Sequence, residues 1–208
     1  MKQKRRILLH SCCGPCSTAV LERLLEEYAV TLFFSNSNIT DKEEYEKRKN
    51  TQLQFLESFN QQHGPEEQIT FCEGSYQPEH FFKLCEGLEE EPEGGARCPV
   101  CFRMRLEETA QKAKQDNFEL FGTTLSVSPH KNYGQIREIG EDLEEKTGVL
   151  FLKDDFKKKA GFQRSIELSK QYGLYRQNYC GCEFSEKQAE LSRREREGKD
   201  LDKLEEEK

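Results

Sequence analysis

The sequence lacks any long hydrophobic run, and this absence limits the kinds of protein that it can encode. Only 34% of its residues are hydrophobic, and an equal 34% are charged. The apolar run Ile7-Leu8-Leu9 behind the basic first residues is far too short for a signal peptide or a membrane span. We therefore expect a cytoplasmic protein without membrane contact, with its apolar residues concentrated in short buried strands between amphipathic helices.

An excess of positive charge is also missing. The formal net charge is -7, whereas a general nucleic-acid binder needs clustered Lys and Arg to neutralise phosphates. The charge leaves room for a local basic face. The candidates for such a face are the lysines at 157–159 with Arg164, and Lys131 with Arg137.

Short apolar segments alternate with amphipathic segments along most of the chain. The predicted strands cover residues 5–11, 30–34, 68–72, 118–123 and 149–152. The predicted helices cover residues 15–28, 80–88, 101–115 and 132–146, and a further charged helix begins near Thr40. This alternation predicts a three-layer, Rossmann-like α/β domain with a parallel sheet over residues 1–185. Residues 186–208 alternate charges without a wide apolar face, which predicts a charged helical or partly disordered tail.

The cysteines are the residues that say most about function. The sequence has nine of them, and structural disulfides are not expected in a reducing compartment. Most fall into three groups: Cys12-Cys13-Gly14-Pro15-Cys16, Cys98-Pro99-Val100-Cys101 and Cys180-Gly181-Cys182. Such close spacing indicates a metal-thiolate or redox site. Cys72 and Cys85 stand alone beside apolar neighbours and are interpreted as buried small hydrophobic residues.

The position of these groups favours catalysis over a purely structural role. Ligands gather at the carboxyl ends of parallel strands, and Cys12, Cys13 and Cys16 follow the first predicted strand. Cys98 and Cys101 open a helix, whose amino-terminal dipole is expected to favour thiolates. Four thiolates suit a structural zinc ion as well as a 4Fe-4S cluster, so the spacing alone leaves the metal open.

Further motifs, together with the cysteine groups, extend along nearly the whole predicted domain. They are His10-Ser11-Cys12-Cys13-Gly14-Pro15-Cys16, Asn36-Ser37-Asn38-Ile39, Glu44-Tyr45 with Arg48, Cys98-Pro99-Val100-Cys101-Phe102-Arg103 with Arg105-Leu106, Thr123-Thr124-Leu125, Ser128-Pro129-His130-Lys131-Asn132, Gly161-Phe162 with Arg164-Ser165, Leu174-Tyr175-Arg176-Gln177, and Tyr179-Cys180-Gly181-Cys182 with Phe184-Ser185. In these motifs the sequence resembles the QueH family of epoxyqueuosine reductases. The resemblance implies reduction of the epoxide of epoxyqueuosine in tRNA to the cyclopentene of queuosine, with the oxygen released as water.

The resemblance also implies the cofactors. The family is cobalamin-independent and uses a 4Fe-4S cluster, with an accessory iron nearby and an electron donor of ferredoxin or flavodoxin type. The implied cluster ligands are Cys12, Cys13, Cys98 and Cys101. Cys180 and Cys182 would form a redox-active pair, and Cys16 or that pair would bind the accessory iron.

The fold that the resemblance implies is similar to the PP-loop ATPase and adenine nucleotide hydrolase group. The turn after the first predicted strand lacks the Ser- and Gly-rich phosphate loop of that group, so ATP hydrolysis is not predicted. His130 is the candidate proton donor, because imidazole titrates near neutral pH. Lys131, Arg164 and Arg176 are the candidate substrate-binding residues.

Two other functions compete with a reductase. In the first, the cysteines hold a structural zinc ion in an RNA-binding protein, which would be colourless and would unfold on chelation. In the second, the chain is a cluster-dependent tRNA thiolation enzyme. That second function needs the nucleotide loop that this sequence lacks.

Overall fold

A parallel sheet forms the centre of the fold in the computed structural model, which describes the backbone of residues 4–206 and the side chains of residues 4–196. Its strands are β1 (Arg5–His10), β2 (Tyr28–Phe34), β3 (Thr70–Glu73), β4 (Leu120–Thr123) and β5 (Leu150–Phe151). The five strands lie in the order β3-β2-β1-β4-β5, and every neighbouring pair is parallel. Each predicted strand is therefore confirmed.

Helices connect the strands and cover both faces of the sheet. They are α1 (Gly14–Leu24), α2 (Lys42–Gln62), α3 (Pro78–Leu84), α4 (Arg97–Gln115), α5 (Tyr133–Thr147), α6 (Gly161–Gln171) and α7 (Glu183–Glu206). α1 packs against α2 and α6, and α4 packs against α5. These contacts give the layers outside the sheet.

Alternate residues of β1 show why residues 7–9 are apolar without interruption. Ile7 and Leu9 pack with α1 residues in one core, and Leu8 packs with Phe102 and Leu106 of α4 in the other. A strand with helices on both faces buries every side chain, so it contains a continuous apolar run. The predicted three-layer, Rossmann-like α/β fold is confirmed, and the closer likeness to the PP-loop group stays a prediction.

Several helix boundaries differ from the predicted ones. α1 and α3 each end four residues earlier than predicted, at Leu24 and Leu84. α4 begins at Arg97 instead of Cys101, so the second cysteine group lies within the helix. α6 was not predicted, and α7 begins at Glu183, so the predicted domain boundary after residue 185 falls inside a helix. Across residues 4–206, no helix combines the length and the apolar character that a membrane span requires.

Candidate active site

The first cysteine group lies where the strand order reverses between β1 and β4, a position at which open α/β sheets bind ligands. Cys12 and Cys13 follow β1, and Cys16 lies in the first turn of α1. The Sγ atoms of these three residues all lie within 4.8 Å of one another. Three soft sulfur donors at this spacing suit a metal held by thiolates.

The three thiols differ in the direction in which their pKa is shifted. The Cys13 and Cys16 thiols donate to the Cys12 sulfur, which lowers the pKa of Cys12 well below its usual value. The same contacts raise the pKa of Cys16, and raise that of Cys13 to about 12. Cys12 is therefore the member of the group that loses its proton most readily.

Arg105 is a buried cation beside this group. Only 1% of its surface is exposed. Its Nε donates to His10 Nε2 at 3.2 Å, its Nη2 to Asn36 Oδ1 at 2.6 Å, and its Nη1 to Cys101 Sγ at 3.9 Å. Within the described part of the chain, no carboxylate accepts a hydrogen bond from it. Although burial acts in the opposite direction, the Cys101 and Cys12 sulfurs raise the pKa of Arg105.

His10 is fully buried beside Arg105, as expected for a packed residue. Burial and then the Arg105 charge lower the pKa of His10 to about 3. Its Nδ1 lies 2.9 Å from Thr123 Oγ1 at the end of β4. The imidazole is therefore neutral near pH 7, and it joins the ends of β1 and β4 to Arg105.

The other two cysteine groups meet beneath α7. Cys101 and Cys182 pack with Phe81 and Cys85 in a small apolar cluster, so Cys85 is the buried hydrophobic residue that was predicted. Burial raises the pKa of Cys98, and raises that of Cys101 to about 12. At both cysteines desolvation thus outweighs the stabilisation of the thiolate that was predicted from the α4 dipole.

Arg48 of α2 holds the chain around the third group. Its guanidinium donates to the carbonyl oxygens of Cys180 at 3.0 Å and Tyr179 at 3.3 Å. A buried ion pair with Glu44, 2.6 Å long, fixes the guanidinium in turn. The backbone at Gly181 has a φ of 119°, which favours glycine. The Cys180-Gly181-Cys182 turn thus depends on contacts with α2.

Two polar side chains reach the sulfurs directly. Lys131 Nζ donates to Cys180 Sγ at 3.2 Å, and Gln177 Nε2 donates to Cys13 Sγ at 3.0 Å. Although burial acts in the opposite direction, the neighbouring Cys180 sulfur raises the pKa of Lys131. Lys131 is therefore a cation at every physiological pH.

A cavity of about 960 Å³ opens in front of these sulfurs. It is lined from the sheet side by Cys12, Cys16, Arg105, His130, Lys131, Phe162, Arg176, Gln177, Tyr179 and Cys180. Residues of α7, from Glu186 to Arg196, line it from the other side. The volume lies at the upper end of the range for small-molecule sites and far exceeds the space that a metal ion needs.

The family model described as epoxyqueuosine reductase QueH matches residues 7–188 of the chain. The chain belongs to the QueH family. It is 45% identical over 181 residues to epoxyqueuosine reductase QueH of Streptococcus pyogenes serotype M1, covering 87% of this chain and 70% of the relative. It is 43% identical over 185 residues to the protein of the same name from Staphylococcus epidermidis, covering 88% and 77%. It is 37% identical over 196 residues to that of Thermotoga maritima, covering 90% and 96%.

The structure places the predicted ligands of this QueH-family chain in two sets. Cys12 and Cys13 form the close group, but their third member is Cys16. Cys98 and Cys101 lie on α4, outside that group. All nine cysteines fall within the described residues and are free thiols. Cys180 and Cys182 are therefore a dithiol in this structure.

The predicted substrate-binding residues also separate. His130, Lys131 and Arg176 line the cavity. Arg164 donates to both carboxylate oxygens of Glu22, at 3.0 and 2.9 Å, and does not line the cavity. The structure therefore brings Lys131 and Arg176 to the sulfurs' side of the cavity and leaves Arg164 in a surface ion pair.

Arg105 and Arg48 are site residues whose roles the sequence interpretation missed. Both lie within the buried stripe of a helix, and each is 1% exposed. Arg105 follows Cys101 by one helical turn and sits beside Leu106, and Arg48 follows Tyr45 in the same way. The helical period assigns both arginines to the buried face of their helices, and this position could have indicated their roles from the sequence.

Proposed function

We propose that the chain is an epoxyqueuosine reductase that converts epoxyqueuosine in tRNA to queuosine. Membership of the QueH family supports the substrate. The observation that carries the proposal is the group of Cys12, Cys13 and Cys16 sulfurs at one end of a cavity large enough for a nucleoside. Cytoplasmic tRNA is the macromolecular partner, and a ferredoxin or flavodoxin is the electron donor.

The residues present fit a thiolate-bound iron centre. The sulfurs gather beside the cations Arg105 and Lys131, which offset the negative charge that several thiolates bring to a buried site. We propose that the cluster ligands are Cys12, Cys13, Cys98 and Cys101. In the alternative to a redox-active pair, Cys16 with Cys180 or Cys182 would hold an accessory iron. When bound, the cluster supplies single-electron transfer and the iron polarises oxygen as a Lewis acid, without cobalamin.

Removing the epoxide oxygen requires two electrons and two protons, and the chain's own thiols can supply both. In our proposal Cys180 and Cys182 form a disulfide, giving up two electrons and two protons. Both C–O bonds of the epoxide break, a C=C bond forms, and the oxygen leaves as water. The external donor then returns two electrons, and two protons from solvent restore the thiols.

Other residues around the cavity would prepare this step. The Lys131 ammonium, 3.2 Å from Cys180 Sγ, stabilises the developing negative charge on oxygen. His130, exposed on the cavity rim, is the proposed proton donor. Arg176 is the proposed substrate-positioning residue of the segment that leads to Cys180, and Arg164 contributes only through its ion pair.

The test compares the wild-type chain with Cys182→Ser, both purified without oxygen. We expect the wild type to contain iron and sulfide, to bleach on reduction, and to reduce epoxyqueuosine in tRNA. Cys182→Ser should keep the iron and sulfide and lose turnover. Cys72→Ser is the control, because Cys72 lies on β3 away from the cavity.

Two results would overturn the proposal. Stoichiometric zinc without iron would favour a structural zinc protein that binds RNA. Unchanged turnover of Cys182→Ser would remove the dithiol step.

A further inference from the structure

The first half of α7 is a wall of the cavity rather than a solvated tail. Its residues in the cavity lining run from Ser185 to Arg196 and include Glu186, Glu190, Arg193 and Arg196. Most of them recur at intervals of three or four, so they form one face of the helix. Arg194 and Lys187, on the same stretch of α7, do not line the cavity.

Charge changes sign along this face. The acidic residues Glu186 and Glu190 lie near the start of α7, next to the Cys180-Gly181-Cys182 turn. Arg193 and Arg196 follow, roughly 15 and 20 Å from the start of the helix at 1.5 Å per residue. The cavity wall is thus acidic beside the cysteines and basic at the far end.

This gradient matches a nucleotide that enters with its base directed towards the sulfurs. Carboxylates repel phosphates, so Glu186 and Glu190 exclude the backbone from the thiol end and admit an uncharged group. Arginines bind phosphates through several donors, so Arg193 and Arg196 hold the backbone. Proteins that act on one base of RNA extrude it from its stack, which places the flanking phosphates at the mouth of the pocket.

We propose that the face of α7 bearing Arg193 and Arg196 binds the tRNA phosphates that flank the reacting nucleotide, in the cavity that Arg176 also lines. This inference rests on the proposed function, because that function is what identifies the bound RNA as tRNA. It identifies α7 as part of the substrate-binding surface and explains how a chain with a net charge of -7 binds tRNA.

Two double variants of equal charge test the proposal. Arg193→Ala with Arg196→Ala removes the arginines of the cavity face, and Lys187→Ala with Arg194→Ala removes two cations outside the lining of the cavity. Affinity for an unmodified tRNA transcript is measured by filter binding over a series of KCl concentrations. This readout needs neither a metal nor turnover, so it can succeed or fail independently of the reductase activity.

The first variant should bind tRNA about tenfold more weakly, and its slope of log affinity against log salt should be smaller by about 1.4 for two single-strand phosphates. The second should bind like the wild type. Arg193→Lys with Arg196→Lys should retain the salt slope, because it retains both charges. Equal behaviour of the two alanine variants would overturn the proposal, as would weakened binding with an unchanged salt slope. Thermal denaturation confirms that each variant is folded.

Discussion

Replacement of Gly181 by alanine tests how strictly the turn of the proposed redox pair depends on its backbone. Gly181 has a φ of 119°, which L side chains rarely adopt. An added Cβ would also lie 2.9 Å from Arg48 Nη1 and 3.0 Å from Ile39 Cγ1. We therefore expect two separate costs, one from the backbone conformation and one from the collision.

Each cost has an expected size. The backbone term is about 1–3 kcal/mol, and the overpacking term is of similar size, so Gly181→Ala should destabilise the fold by about 3–4 kcal/mol. Gly173→Ala separates the two terms, because Gly173 has a φ of +62° with no neighbour within 4 Å of the added Cβ. It should cost about 1 kcal/mol. Gly64→Ala, with a φ of -70° and open space, should cost almost nothing.

Thermal denaturation gives the order of the three variants, because about 1 kcal/mol corresponds to about 3 °C for a chain of this size. Gly181→Ala should lower Tm by roughly 10 °C. It should also lower kcat more than tRNA affinity, because the collision displaces Arg48, which fixes Cys180 through its carbonyl. If Gly181→Ala matched Gly173→Ala in Tm and retained full activity, the contact with Arg48 would not control the turn.

Three further substitutions address the ion pair, the proton donor and the basic face. Glu44→Gln removes the counter-charge of buried Arg48 and should lower the free energy of unfolding by about 3 kcal/mol, measured by urea denaturation. A loss below about 0.5 kcal/mol would show that the pair behaves like a solvated surface pair. His130→Ala should lower kcat with tRNA affinity unchanged, and equal losses in both would assign His130 to binding. Replacing all three lysines at 157–159 with alanine should weaken tRNA binding and flatten its salt dependence; binding curves identical to the wild type would exclude that segment from the interface.

The sequence was enough to predict the sheet because its central strands, β1 and β4, are buried on both faces. Apolar runs such as Ile7-Leu8-Leu9 occur where helices cover both sides. The start of α4 was harder to predict, since its N-cap residue, Ala96, makes no capping side-chain hydrogen bond. α6 was missed because few of its residues are strongly apolar and Ala160, which precedes it, has a left-handed backbone.

The candidate site was predictable only in its sulfurs. A strand followed by Cys12 and Cys13 must place these residues at the ligand-binding edge of the sheet, and the structure confirms that position. The arginines that accompany them were not predicted, because a charged residue on a helix is usually exposed. The role of α7 was also missed, since a helix that lines a polar cavity does not need an apolar stripe.

The hydrogen bonds of Arg105 bear on the order in which the protein matures. The guanidinium joins residues separated by 95 positions, at His10, and by 69 positions, at Asn36. These partners come together only after β1, β2 and α4 have assembled, which places closure of the sulfur site late in folding. A metal delivered to the nascent chain would meet separate cysteine pairs, whereas the assembled domain offers sulfurs with their counter-charge already in place. Loading after folding, from a carrier that releases metal to a preformed pocket, is the order of events that this arrangement favours.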